Sequence, residues 1–262
     1  MASDAAVALM QAYQRDQRQI AGGLLRDLLG LWRTLIRPGE FDLAALVVLA
    51  EAAAVLVERR REESAQAAVR LYERLRAVSG AEGTPAVAEP QPLEIPRAVG
   101  LLRGAALAGF IRARRAGMPE RQALDAARVR VAGSATNLAL GGGRQTVMQV
   151  VSSDDRALGW MRVTSGAPCH FCLTLASRGP VYKSQRTADF EAHDHCSCAA
   201  VPVFRGTPIP DSVRRAEEAY RAAQDWARRH PDLAAHGTSN DALNNVRRYL
   251  EHRGSEARDA AA

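Results

Sequence analysis

With 262 residues, 47% of them hydrophobic, the chain is long enough to bury a real core, and its four cysteines are too few to staple a secreted scaffold. The formal net charge of +6 is unevenly spread: residues 97–150 hold nine basic and two acidic side chains, while the segments 1–80, 151–206 and 207–262 are nearly neutral. The most apolar run, LAALVVLAEAAAVLV at 43–57, is interrupted by Glu51 and falls short of the roughly 20 residues a bilayer span needs; the first residues carry Asp4 and Asp16 without a basic start, so neither a membrane span nor a secretory leader is expected.

In chain order, Leu25, Leu28, Leu29, Trp32 and Ile36 recur at spacings of three and four and predict a helix over 6–36 with one apolar stripe. Arg37-Pro38-Gly39 breaks it, because proline disfavours helix in the residue before it. Asp42 is placed to cap a second helix reaching about Val78, roughly 54 Å long at 1.5 Å per residue. Its second half is heavily charged outside the stripe Ala68, Leu71, Leu75 and Val78, as in an exposed helix packed on one side, and the two helices together predict an antiparallel hairpin over 1–80.

Residues 79–96 hold four prolines and two glycines with no periodic apolar face, and 81–96 reads as a linker. Helical texture resumes at 97, with Leu107, Phe110 and Ile111 on one face, Gly117 as a terminator and Pro119 in the first turn of the next helix. That helix is expected to fade near Gly133, and Gly141-Gly142-Gly143 to mark a turn; with no Lys-Ser/Thr after them, the glycines do not read as a phosphate loop. The short pieces ALGWMRVT (157–164), PVY (180–182) and AAVPVF (199–204) predict strands, and 211–230 and 240–253 amphipathic helices, with the last residues frayed. The expected fold is α+β, mostly α-helical: a helical hairpin (1–80), a linker (81–96), a basic helical segment (97–143), a small Cys/His-tied α+β module (144–206) and a helical tail (207–262). The arginines of 97–150 are candidates to face a phosphate backbone or an acidic partner, against the plainer reading of solvated, paired surface charges.

All four cysteines and three of the six histidines fall between 169 and 198. Cys169-x-x-Cys172 and His193-x-x-Cys196-x-Cys198 offer a tetrahedral structural zinc one close donor pair from each of two remote turns: Cys169, Cys172, Cys196 and one of His193 or Cys198. The Cys-x-Cys pair is atypical of a zinc knuckle, and one or two disulfides, or unliganded core thiols, fit the same spacing. A zinc deaminase fails on order, since it needs His-x-Glu upstream and no histidine precedes His170. A Cys169 or Cys172 nucleophile with His193 or His195 as base stays open; Ser165 or Ser177 with His193 is no better supported, and GxSxG is absent. Asp189 and Glu191 flank His193 either as partners of a metal-bound imidazole or as solvated acids. Trp160 and Phe171 are expected in the module core, and Arg178 at the turn before Gly179-Pro180.

Residues 159–204, with Arg162-Val163, Cys169, Cys172, the Ser-Arg-Gly-Pro-Val-Tyr run at 177–182, His193, Cys196, Cys198 and Val201-Pro202, resemble the signature of the phage Mu F-like minor head proteins of tailed bacteriophages, in the actinobacteriophage branch often labelled capsid maturation proteases. The resemblance implies a head-morphogenesis protein of the virion, assembled in the host cytoplasm, with the portal, major capsid and scaffold proteins as partners and packaged DNA as a further one. It also implies the alternative of a protease that trims the capsid or scaffold protein, without supplying a catalytic set.

Overall fold

The computed structural model describes residues 2–86, 92–164, 166, 168–181, 190 and 192–259, with side chains from residue 3 to residue 255. Ser165, Tyr182, Lys183, Asp189 and Glu191 lie outside the described residues. The described elements, in order, are α1 (Ala2–Leu35), α2 (Leu43–Val78), α3 (Ile95–Arg115), α4 (Glu120–Ser153), β1 (Gly159–Val163), α5 (His170–Ala176), β2 (Ala199–Val203), α6 (Asp211–Arg229) and α7 (Asp241–Asp259). The fold is mostly α with one two-stranded antiparallel sheet, as the sequence leads one to expect.

Asp42 caps α2 as anticipated, its carboxylate accepting the N–H groups of Ala44 (2.8 Å) and Ala45 (3.3 Å). In α1 the buried stripe is Leu24, Leu28 and Trp32, continued by Ile36 just past the helix end; Leu25, one position round, is exposed. This stripe packs antiparallel on Leu46, Leu49, Ala53 and Val57 of α2, which accounts for the apolar run 43–57 without a membrane; no helix among the described residues is long and apolar enough to cross one. The charged half of α2 is not merely a solvated face, since Arg61 and Arg76 are both buried. In α3 the buried positions are Ala98, Leu102, Ala106, Gly109 and Ala113, while Leu107 and Phe110 are only partly covered and Ile111 is exposed. Gly117, at φ 79°, ends α3, and Pro119 is the residue before α4 begins.

The largest departure from expectation is α4. It does not fade at Gly133 or turn at Gly141-Gly142-Gly143, but runs unbroken to Ser153. The glycines serve contact, not curvature: a Cβ on Gly142 would overlap the Arg61 carbonyl oxygen, and one on Gly143 would come within 2.8 Å of both the Ser64 carbonyl and the Tyr13 hydroxyl. The Gly143 N–H donates to the Ser64 hydroxyl at 3.0 Å, so the backbones of α2 and α4 meet where any side chain would hold them apart. Gly142→Ala is therefore expected to cost about 3 kcal/mol through backbone overlap. Gly30→Ala, on the same scaffold with nothing within 4 Å, should be neutral or gain up to about 1 kcal/mol of helix propensity. Urea midpoints of the two variants check the contrast.

β1 and β2 pair from Gly159↔Val203 to Val163↔Ala199, and all ten residues are buried, so no inside-outside alternation shows in either strand. Trp160, Met161, Val201 and Phe204 join Met10, Tyr13, Leu71, Tyr72 and Val147 in one core beneath α1, α2 and α4. Pro180 and Val181 are not in a strand. In the tail, α6 and α7 close over α5 through Ala216, Ala223 and Val246 against Leu173 and Ala176; α7 continues as helix to Asp259, past the expected end at Arg253 and into the residues expected to fray.

Candidate metal centre

Two pieces of chain build the site. Cys169 precedes α5 and its Sγ accepts the Cys172 N–H at 3.4 Å, so the CxxC spacing is closed by one helical turn. The second piece is a tight turn in which the Cys196 N–H donates to the His193 carbonyl at 3.1 Å and His195 takes a positive φ of 65°. Cys198 then leads directly into β2, so the sheet register sets the height of the turn against α5.

The thiols converge. His193 Nε2 lies 2.6 Å from Cys169 Sγ and 3.9 Å from Cys172 Sγ, and Cys172 Sγ lies 3.4 Å from Cys196 Sγ. Two triads, Cys169–Cys172–His193 and Cys172–Cys196–Cys198, each hold their donor atoms within 4.8 Å of one another, and Cys172 belongs to both. All four cysteines are free thiols, so the disulfide alternative is not the one the structure takes. The donor set, soft sulfur with one imidazole, fits zinc. His193 is also oriented as a ligand would be: its Nδ1–H donates to the Asp194 carbonyl at 2.7 Å, which leaves Nε2 with its lone pair toward the sulfurs.

The electrostatics set the thiols apart, favouring thiolate at Cys169 and Cys196 and opposing it at Cys172 and Cys198. Arg144, buried on α4, donates through Nη2 to the Cys196 carbonyl (2.6 Å), through Nε to the Cys198 carbonyl (3.1 Å) and through Nη1 to Asn137 (2.8 Å). Burial pulls its pKa down, and the Cys196 and Cys198 sulfurs pull it back. Arg162 of β1, 1% exposed, sets Nη1 3.9 Å from Cys172 Sγ and stacks its guanidinium 3.7 Å from the Phe190 ring centre, with Arg144 4.8 Å from the same ring. Two buried cations beside a thiol cluster are most easily offset by negative sulfur. Burial opposes ionisation of Cys169, but the Cys172 N–H and the adjoining His193 ring outweigh it and lower its pKa. His193 moves the other way: burial lowers its pKa, and the Asp194 carbonyl and Cys169 raise it by more. Cys196 is held low by its bonds from Cys172 and Cys198 and by Arg144, while Cys172 is pushed up by Cys196, Cys198 and burial.

Of the histidines in the segment, only His193 joins the sulfurs. His195 turns away onto Gly133 of α4, where a Cβ would meet its Nε2 at 2.6 Å; this explains the glycine that read as a helix end. Ser177 spends its hydroxyl on the Thr174 carbonyl at 2.8 Å. Trp160 is buried, Phe171 is partly buried 5.9 Å from the His193 ring, and Arg178 is exposed. Arg144, Asn137 and Phe190 were missed in the sequence. Nothing local marks Arg144, since an arginine after three glycines reads as turn and charge until the helix is known to continue. Asn137 ties the same helix to the cysteine turn, donating to the Ala192 carbonyl at 3.1 Å.

A family model described as VG15 protein matches residues 4–223, from α1 through most of α6. No curated protein and no solved structure matches the chain.

Proposed function

From the premise that the chain belongs to the VG15 protein family, a family of viral (phage) proteins, we propose that it is a minor capsid protein of a tailed bacteriophage acting in procapsid assembly near the portal. The observation that carries this is the family match across the helical body and the cysteine module together, joined to the Mu F-like run of residues 159–204. On this reading the module is a structural zinc site, held by Cys169, Cys172, His193 and Cys196, with Cys198 as the remaining donor of the second triad. The zinc fastens the two turns to the sheet, and the chain offers its partners a rigid surface and needs no chemistry. Portal, major capsid and scaffold proteins are the partners proposed for it.

A protease that trims the capsid or scaffold protein is the second reading. The Cys169–His193 pair favours it, because a thiol 2.6 Å from an imidazole whose other nitrogen is held by a carbonyl has the geometry of a nucleophile and its base. Against it stand three further thiols packed around that pair, which metal binding uses and acyl transfer does not. Heads purified from a Cys169→Ala phage separate the two. The head-protein reading expects the chain in purified heads at low copy and an unprocessed or normally processed major capsid N-terminus in wild type and variant alike. Absence of the chain from heads at every stage would reject it, and loss of a capsid N-terminal cleavage in the variant alone would establish the protease.

A further inference from the structure

The exposed face of α1 carries Arg15, Arg18, Arg26 and Arg33, all exposed. At 3.6 residues per turn they fall within an arc of roughly 80°, opposite the stripe Tyr13, Gln17, Ile20, Leu24 and Leu28 that buries α1 against the body. From Arg15 to Arg33 the row is about 27 Å long. None of the four makes an ion pair with another described residue. The acids nearest in sequence, Asp16 and Asp27, lie on the flank of the helix, and Asp27 is taken up by Arg60 at 2.7 Å. Arg15, Arg18, Gln19, Gly22 and Arg26 line a groove. Gly22 at its floor meets only the Arg26 guanidinium, at 3.7 Å, so packing does not demand a glycine that costs about 1 kcal/mol relative to alanine in a helix.

We propose that this arginine row of α1 binds the phosphate backbone of duplex DNA, with Gly22 leaving room for a phosphate to approach the helix between Arg15, Arg18 and Arg26. A straight row of cations with neither acid nor aromatic side chain in its arc between Arg15 and Arg33 matches a linear polyanion. Each strand of a duplex carries one phosphate per 3.4 Å of helix axis, so a 27 Å length of duplex holds about eight phosphates per strand, and guanidinium forks match phosphate oxygens in pairs. The basic segment 97–150, which composition singles out, is less suited. Arg144 is buried at the thiols, Arg128 is engaged by Asp125 at 3.0 Å and Arg130 by Asp194 at 4.0 Å. The inference goes beyond the head-protein reading and does not rest on it, since a chain that binds duplexes but never enters heads would keep the one and lose the other.

The test is fluorescence anisotropy of a labelled duplex of about 20 base pairs with the full chain across a salt series. Wild type is expected to bind without sequence preference, with affinity falling as salt rises. The Arg15/Arg18/Arg26/Arg33→Gln variant, its helicity verified by circular dichroism, should bind at least tenfold more weakly, with the log–log salt slope reduced by about three to four. An Arg112/Arg114/Arg115→Gln variant should change neither by more than a small fraction. Should the fourfold variant lose helicity, Arg18→Gln and Arg26→Gln singly must each reduce the slope by about one. The proposal is overturned if wild type fails to bind, if the α1 variants bind as wild type does, if the α3 variant loses as much, or if polyglutamate competes as well as unlabelled duplex.

Discussion

Replacing Cys172 by serine should release the metal and undo the cysteine module while leaving most of the helical body standing. Cys172 is the one thiol common to both donor triads, so neither triad survives its loss, whereas Cys198→Ser leaves the triad of Cys169, Cys172 and His193, with Cys196 Sγ 3.4 Å from Cys172 Sγ. Structural zinc contributes on the order of 10 kcal/mol in small peptides, comparable to the whole stability of a typical domain. The consequence should be regional. The core shared by Leu24, Trp32, Leu49 and Leu102 is a separate apolar cluster from the thiols, whereas α6 and α7 rest on α5 and go with it. Elemental analysis should find about one zinc per chain in wild type and Cys198→Ser and none in Cys172→Ser. Limited proteolysis should cut Cys172→Ser within residues 164–262 and spare α1 to α4. One zinc retained by Cys172→Ser with an unchanged melting temperature would reject the shared-ligand arrangement.

Asp154→Ala is expected to destabilise the protein by about 3–5 kcal/mol at neutral pH, the cost of removing one partner of a buried ion pair. Asp154 follows α4 and is almost fully buried; its Oδ2 accepts from the Tyr72 hydroxyl (2.7 Å) and from Arg76 Nε (3.0 Å), and its Oδ1 from the Arg156 N–H (2.9 Å). Arg76 continues to the carbonyls of Ala81 (2.8 Å) and Glu82 (3.0 Å), and the Tyr72 hydroxyl receives the Ala86 N–H at 2.8 Å. One carboxylate thereby fastens the end of α4, the last turns of α2 and the start of the connection to α3. Burial alone would raise its pKa; the Tyr72 hydroxyl, the Arg156 N–H and Arg76 outweigh that and hold it below the ordinary carboxylate range. A depressed folded pKa means that the contribution is complete above the unfolded value of about 4 and is lost as pH falls through the lower folded value. The stability gap between wild type and Asp154→Ala should therefore be constant from about pH 5 to 8 and shrink below pH 4. Urea unfolding at a series of pH values measures it, and a gap that widens on acidification would contradict the assignment.

Much of the helical frame was legible from the chain. The caps and breaks at Asp42, Arg37-Pro38-Gly39 and Gly117 act through local backbone chemistry, which sequence carries directly. The apolar spacing located the stripe of α1 to within one residue, choosing Leu25 where Leu24 is buried. The pairing of CxxC with a remote His-x-x-Cys-x-Cys was likewise readable, because zinc-like donor chemistry depends on residue type and on two turns of limited reach.

The glycines of α4 could not be read this way. Gly133, Gly142 and Gly143 look like helix breakers to any local rule, and only the closeness of His195, Arg61, Ser64 and Tyr13 reveals that they are there to admit neighbours. The same holds for charge. Composition assigned the basic excess to 97–150, but burial withdrew Arg144 to the sulfur cluster, and the unpaired row on α1 became visible only once its opposite face was known to be covered. The amino-acid sequence by itself determined, to within a few residues, where the long helices start, where α1, α2 and α3 stop and which donors are available, since those follow from interactions within a few residues. Only the tertiary structure decided which glycines are contacts, which arginines are counter-charges and which thiol is shared, because those depend on what distant segments bring within a few ångströms.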